Sequence, residues 1–179
     1  LRGHTSPITY LAFSPTNPEI LLSSGRDRTL RLWNITSQAN ILTLPPQDEH
    51  FTQIAWSPDG QQIVTADNKN VQVWSANSGD QLAQFPGHFQ PRQANWVSST
   101  AVLTLGGIDN LVRVWDIPSQ QPLALLATHS AQTTIRALAW SPDNRHLAIL
   151  SNDDVIRIWE VASNRIVQAI FGHTIQAEP

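Results

Sequence analysis

The sequence predicts an all-β chain built from four copies of one unit, each unit four short antiparallel strands, and three observations carry that prediction. Trp33, Trp74, Trp115 and Trp159 recur at intervals of 41, 41 and 44 residues inside the related runs LRLWN, VQVWS, VRVWD and IRIWE. A histidine returns in step with them at His4, His50, His88, His129 and His173, three of the five directly after a glycine. Between these markers apolar residues alternate with polar ones at period two, the signature of half-buried strands. A unit of about 40 residues cannot bury a hydrophobic face alone, so the copies must stack on one another.

The first unit shows how the elements follow from the residues. Ile8, Leu11 and Phe13 mark a first strand, ILLSS at 20–24 a second, LRLW at 30–33 a third and ILTL at 41–44 a fourth. An aromatic residue closes the first strand of every unit, at Phe13, Trp56, Trp96 and Trp140, which gives all seven tryptophans a repeat position. Ser14-Pro15, Ser57-Pro58-Asp59-Gly60 and Ser141-Pro142-Asp143-Asn144 read as turns from the first strand to the second, because proline fixes φ while Asp, Asn or Gly supplies a side-chain hydrogen bond or an open φ. The turn into the third strand carries Asp27, Asn68, Asp109 and Asp153, each six residues before its tryptophan. The units fall near residues 5–45, 50–86, 89–128 and 132–171, and no long helix is needed anywhere.

Four-stranded units of this length stacked radially are propeller blades, and the chain resembles the WD40-repeat family. Gly3-His4, Ser14-Pro15, Ser23-Ser24-Gly25-Arg26-Asp27-Arg28-Thr29 and Leu30-Arg31-Leu32-Trp33-Asn34 carry the resemblance in the first unit, and it extends over essentially all 179 residues. The resemblance implies a non-catalytic scaffold whose blades bind other proteins on the rim where the histidines and turn aspartates lie. It also implies a hydrogen-bonded network in each blade among histidine, a hydroxyl on the second strand, turn aspartate and tryptophan. His4, Ser23, Asp27 and Trp33 fit that network fully. The corresponding residues elsewhere are His50, Asn68 and Trp74, then His88, Asp109 and Trp115, then His129, Asp153 and Trp159. Departures are visible: Glu49 precedes His50, Thr65 stands one residue out of place counting from Trp74, and Leu105 and Ile149 occupy the hydroxyl position in the third and fourth units. Blades two to four are therefore expected to rest more on apolar packing.

The resemblance implies a ring, typically of seven or eight blades, so four units read as an excerpt of a longer polypeptide, as half of an eight-bladed ring made by two copies, or as an unusual open or closed four-bladed form. A homodimer through open propeller ends is the second arrangement. An open array would leave apolar faces on its first and last blades.

Composition limits the chemistry. The formal charge is −3, with a single lysine, which gives no basic stripe for nucleic acid. Cysteine is absent and the histidines are too widely spaced for a zinc site, so neither metal nor cofactor is expected. No carboxylate pair stands beside a nucleophile, and no enzymatic activity is expected. No membrane association is expected, and a cytoplasmic location is favoured. The expected partner is a protein or peptide. Rim loops offer Arg26, Arg28, Asp48, Glu49, Lys69, Phe89, Gln90, Arg92, Thr134, Arg136 and Asp154 as candidate contacts, with Phe89 and Arg92 an aromatic and arginine pair of the kind that dominates interfaces. A regulatory propeller controlling a catalytic domain fused elsewhere in the parent chain is the alternative role. The glutamine-rich, lysine-poor character resembles WD40 proteins of bacterial multidomain chains.

Overall fold

Among the described residues, sixteen strands form four separate four-stranded antiparallel sheets, each meandering in sequence order. The computed structural model describes residues 1–85, 93–98, 101–105, 111–126, 134–143, 145–161 and 163–171. The first sheet holds β1 (Ile8–Phe13), β2 (Ile20–Gly25), β3 (Leu30–Asn34) and β4 (Ala39–Leu44). The second holds β5 (Gln53–Trp56), β6 (Gln62–Ala66), β7 (Val71–Ser75) and β8 (Gln81–Phe85). The third holds β9 (Gln93–Ser98), β10 (Ala101–Leu105), β11 (Val112–Asp116) and β12 (Pro122–Leu126), and the fourth β13 (Ile135–Trp140), β14 (His146–Ser151), β15 (Val155–Glu160) and β16 (Arg165–Phe171). These are the WD40-type blades expected from the repeat.

The chain divides into two compact units, residues 1–125 and 126–179. In the first, period-two strands bury both faces of the middle strands between neighbouring sheets, which is why β6 and β7 are buried along almost their whole length. Leu22, Leu30, Leu32 and Leu44 of the first blade pack with Phe51, Ile63 and Trp74 of the second. Val64, Ala66, Val71, Val73, Ala83 and Phe85 of the second pack with Ala94 and Ile117 of the third. Phe85 stacks on Trp115 with ring centroids 4.9 Å apart. Phe51, nearly inaccessible at 1%, is a core residue that the repeat pattern does not mark. Its burial is worth roughly 2 kcal/mol or more.

Two of the aromatic residues that close the first strands do more than fill space. Trp56 Nε1 donates to the carbonyl of Ala12 at 3.2 Å, and Trp96 Nε1 to that of Ala55 at 3.1 Å, so each indole bonds the backbone of the preceding blade. Phe13 has the same place in the first blade, carries no such donor and is exposed, as are Ile8 and Leu11 beside it. Gly60 belongs to the same joint: its φ is +69°, and a Cβ there would lie 2.3 Å from Thr16 Oγ1.

In the second unit Ile135, Leu147, Ile149 and Trp159 form the buried apolar positions, and the outer strand β16 is exposed throughout. A bulge recurs where the third strand meets the fourth, at Leu32/Trp33, Val73/Trp74 and Ile158/Trp159. An extra residue at that point re-aims the side chains beside it, and in each case it adjoins the repeat tryptophan. No helix among the described residues is long and apolar enough to cross a membrane.

Candidate functional site

The site is built on the corner between the second and third strands, and the first blade has it complete. Trp33 Nε1 donates to Ser23 Oγ at 2.8 Å, and Ser23 Oγ lies 2.7 Å from His4 Nε2. An indole can only donate, so the serine hydroxyl accepts there and its own hydrogen is free for the imidazole. His4 Nδ1 then faces the Asp27 carboxylate at 2.9 and 3.1 Å. Asp27 also accepts from the Thr5 amide at 2.9 Å, the Thr29 amide at 3.1 Å and the Thr29 hydroxyl at 2.8 Å. Burial pushes the Asp27 carboxyl upward, but these donors outweigh it and hold the group well below the ordinary carboxylate range. Gly25 makes room for the arrangement, since a Cβ on it would lie 2.9 Å from His4 Nδ1 and 3.0 Å from Asp27 Oδ1.

The second blade corrects two expectations. His50 is exposed and makes no hydrogen bond among the described residues, and Asn68 likewise bonds nothing there. The turn acid is Asp67, whose Oδ1 accepts from the Lys69 and Asn70 amides, both at 2.7 Å. The cause lies in chain length. Thr9 and Thr52 both bond the backbone of the second strand, through Ser24 O and Ala66 O at 3.2 Å each, so they are equivalent positions. His4 precedes its threonine by five residues and His50 precedes its own by two, which leaves no arm to carry the imidazole inward. Asp67 also takes the ladder place of Gly25, filling the space a histidine would need.

Register also corrects the placement of the hydroxyls. Ser23 pairs with Arg31 across the ladder, Thr65 with Gln72, and Thr104 with Arg113. Thr65 is thus in place, and its Oγ1 accepts from Trp74 Nε1 at 2.9 Å. In the third blade Thr104, not Leu105, holds the hydroxyl position. The miscount arises because the turn is one residue shorter in the second blade and one longer in the third. In the fourth blade Ile149 pairs with Arg157 as expected, no hydroxyl stands at that position, and the buried Trp159 Nε1 has no hydrogen-bond partner among the described residues. Asp153 is there held by Arg157, at 3.2 and 2.7 Å, and that bond is the main reason its carboxyl lies below the usual range. His88, Asp109, His129, Phe89, Gln90 and Arg92 lie outside the described residues.

The candidate contact residues at these corners are mostly exposed, and several engage one another. Lys69 meets Glu49 at 3.4 Å, Arg136 meets Asp154 at 3.1 Å, and Arg28 Nη1 donates to the Asp48 carbonyl at 3.3 Å. The Thr134 amide donates to Asn152 Oδ1 at 2.9 Å. Arg28 and Asp154 take left-handed backbone, with φ of 64° and 56°, at the third residue of their turns. Arg26 is exposed, with its amide bonded to the Pro7 carbonyl at 2.9 Å. Among the described residues no group of three or more His, Cys, Asp and Glu side chains could hold a metal ion.

Comparison with known proteins agrees with this geometry. Residues 1–34 and 39–75 match the family described as WD domain, G-beta repeat, and residues 96–176 match the anaphase-promoting complex subunit 4 WD40 domain. Human Coronin-7 is 33% identical over 153 residues, which are 80% of this chain and 16% of Coronin-7. Rat telomerase protein component 1 is 31% identical over 146 residues, 79% of this chain and 5% of that protein. Protein FIZZY-RELATED 3 of Arabidopsis thaliana is 32% identical over 152 residues, 81% of this chain and 31% of that protein. The chain therefore spans less than a third of the length of each of these relatives. All three are eukaryotic, and they give no support to the bacterial origin suggested by composition.

Proposed function

The chain belongs to the WD40-repeat family, and on that premise we propose that it is a non-catalytic scaffold that binds a protein or peptide at the strand corners carrying the histidine and aspartate positions. The observation that carries this reading is the rigidity of the first corner. Asp27 accepts hydrogen bonds from His4, Thr5 and Thr29, so the loop between β2 and β3 is fixed in place while Arg26 and Arg28 on it stay exposed. Side chains displayed on a rigid support lose less entropy when a partner arrives, which is the general advantage of preorganised surfaces.

Site-specific photocrosslinking tests it. A photoreactive residue at position 28 or 134 is expected to give discrete protein adducts in the native cellular background. The same probe at position 167, on the outer strand β16, serves as the control. Adducts at 28 and 134 no stronger than at 167 would refute binding at the corners.

Self-association is a second reading, favoured by the exposure of Ile8, Leu11 and Phe13 on one strand. Light scattering across a concentration series is expected to give a species near twice 19.9 kDa if it holds, and a concentration-independent monomer if it does not.

A further inference from the structure

A groove of about 370 Å³ opens between the first two blades, lined by Thr9, Tyr10, Arg26, His50, Phe51 and Thr52. Its lining divides by what each side chain is already doing. Thr9 and Thr52 spend their hydroxyls on Ser24 O and Ala66 O, and Phe51 is buried in the core. The Tyr10 hydroxyl, the Arg26 guanidinium and the His50 imidazole make no hydrogen bond or ion pair among the described residues. Other charged groups at the corners are occupied: Lys69 with Glu49, Arg136 with Asp154, Arg157 with Asp153 and Arg28 with a carbonyl. His50 is free because the short arm before Thr52 keeps it out of the structural network. A side chain that is buried and satisfied in the first blade is therefore delivered to the surface in the second, beside an arginine whose guanidinium has no partner among the described residues.

We propose that this groove receives an acidic side chain, a carboxylate or a phosphorylated residue, on an extended segment of a partner protein. The proposal rests on the corner-binding reading above and narrows it to one place and one chemistry. Three idle groups able to donate, one of them permanently cationic, suit an anion with several acceptor oxygens. The ring of Tyr10 gives an apolar flank for the stem that carries it. The guanidinium fork matches carboxylate and phosphate geometry in a way an ammonium does not, which makes Arg26 the residue expected to matter most.

The test uses the full chain and three probes followed by NMR at the His50 imidazole and Tyr10 ring: capped aspartate, phenyl phosphate and capped asparagine. Saturable shifts at both residues with one of the anionic probes, at concentrations below about 10 mM, are expected. Arg26→Ala should weaken that binding about tenfold or more without changing the fold, because Arg26 is exposed and its side chain has no partner among the described residues. Saturation by capped aspartate identifies a carboxylate, and saturation by phenyl phosphate alone identifies a phosphorylated residue. Equal shifts with capped asparagine, no saturable shift, or unaltered binding in Arg26→Ala would overturn the proposal. If crosslinking at position 28 persists while the anion does not bind, the groove assignment fails and the scaffold reading stands.

Discussion

Gly25 and His4 approach so closely that no methyl group fits between them: a Cβ on the glycine would lie 2.9 Å from His4 Nδ1 and 3.3 Å from the Pro7 carbonyl. The glycine is required by its neighbours and not by its own backbone angle. Gly25→Ala is therefore expected to push the imidazole off Asp27 and to cost about 1–3 kcal/mol, the usual range for overpacking a filled site. Urea denaturation measures this, and a loss under half a kilocalorie would show that the corner can yield.

Asp27 gives a pH-dependent signature. Its folded carboxyl is depressed below the unfolded value of about 3.9, so its contribution is complete above that value and is lost as pH falls toward the folded one. Asp27→Asn should cost about 2 kcal/mol at pH 7 through weakened and misdirected hydrogen bonds. The gap between wild type and variant should narrow steadily below pH 4. Denaturation curves of both proteins from pH 7 to pH 2.5 check the sign, and a gap that widened on acidification would contradict it.

Trp159 Nε1 is buried with no acceptor among the described residues, while Trp74 Nε1 at the same ladder position finds Thr65. An unsatisfied buried donor costs roughly 1–3 kcal/mol. Ile149→Thr should supply the missing hydroxyl, offsetting the lost methyl groups, and stay within about 1 kcal/mol of wild type. Ile149→Ala, which only opens a cavity, should cost about 2–4 kcal/mol. Thermal unfolding of the pair tests this, and equal losses would mean that the threonine does not reach the indole.

Tryptophans closing the first strands should differ in the same way. Trp56→Phe removes a donor bonded to the Ala12 carbonyl, whereas Trp140→Phe removes an N–H that has no partner among the described residues. The first variant should lose about 1 kcal/mol more than the second, again by chemical denaturation. Equal costs would assign both residues to packing alone.

The sequence made the strands and the tryptophan positions legible because each depends on local alternation and on a spacing that can be counted. Counting failed at the hydroxyls. Thr65 and Thr104 look displaced when measured from their tryptophans, yet both stand in register, because a turn absorbs one residue more or less without disturbing the ladder. His50 failed for the opposite reason: the motif residue is present, but three residues of its approach to the strand are missing, and reach is a property of the whole segment. Phe51 was missed because its burial depends on two blades meeting, which one unit's pattern does not encode. The groove beside Arg26 was half legible, with the arginine evident and the histidine assigned elsewhere.

The bond from the closing indoles of the second and third blades to the preceding blade bears on how such a chain grows by copying. Trp56 and Trp96 bring the donor, and the acceptor is a peptide carbonyl, which any predecessor possesses whatever its side chains. A duplicated segment inserted in the gene thus arrives equipped for its upstream neighbour, and that neighbour needs no matching mutation. Divergence of the remaining residues can then proceed copy by copy.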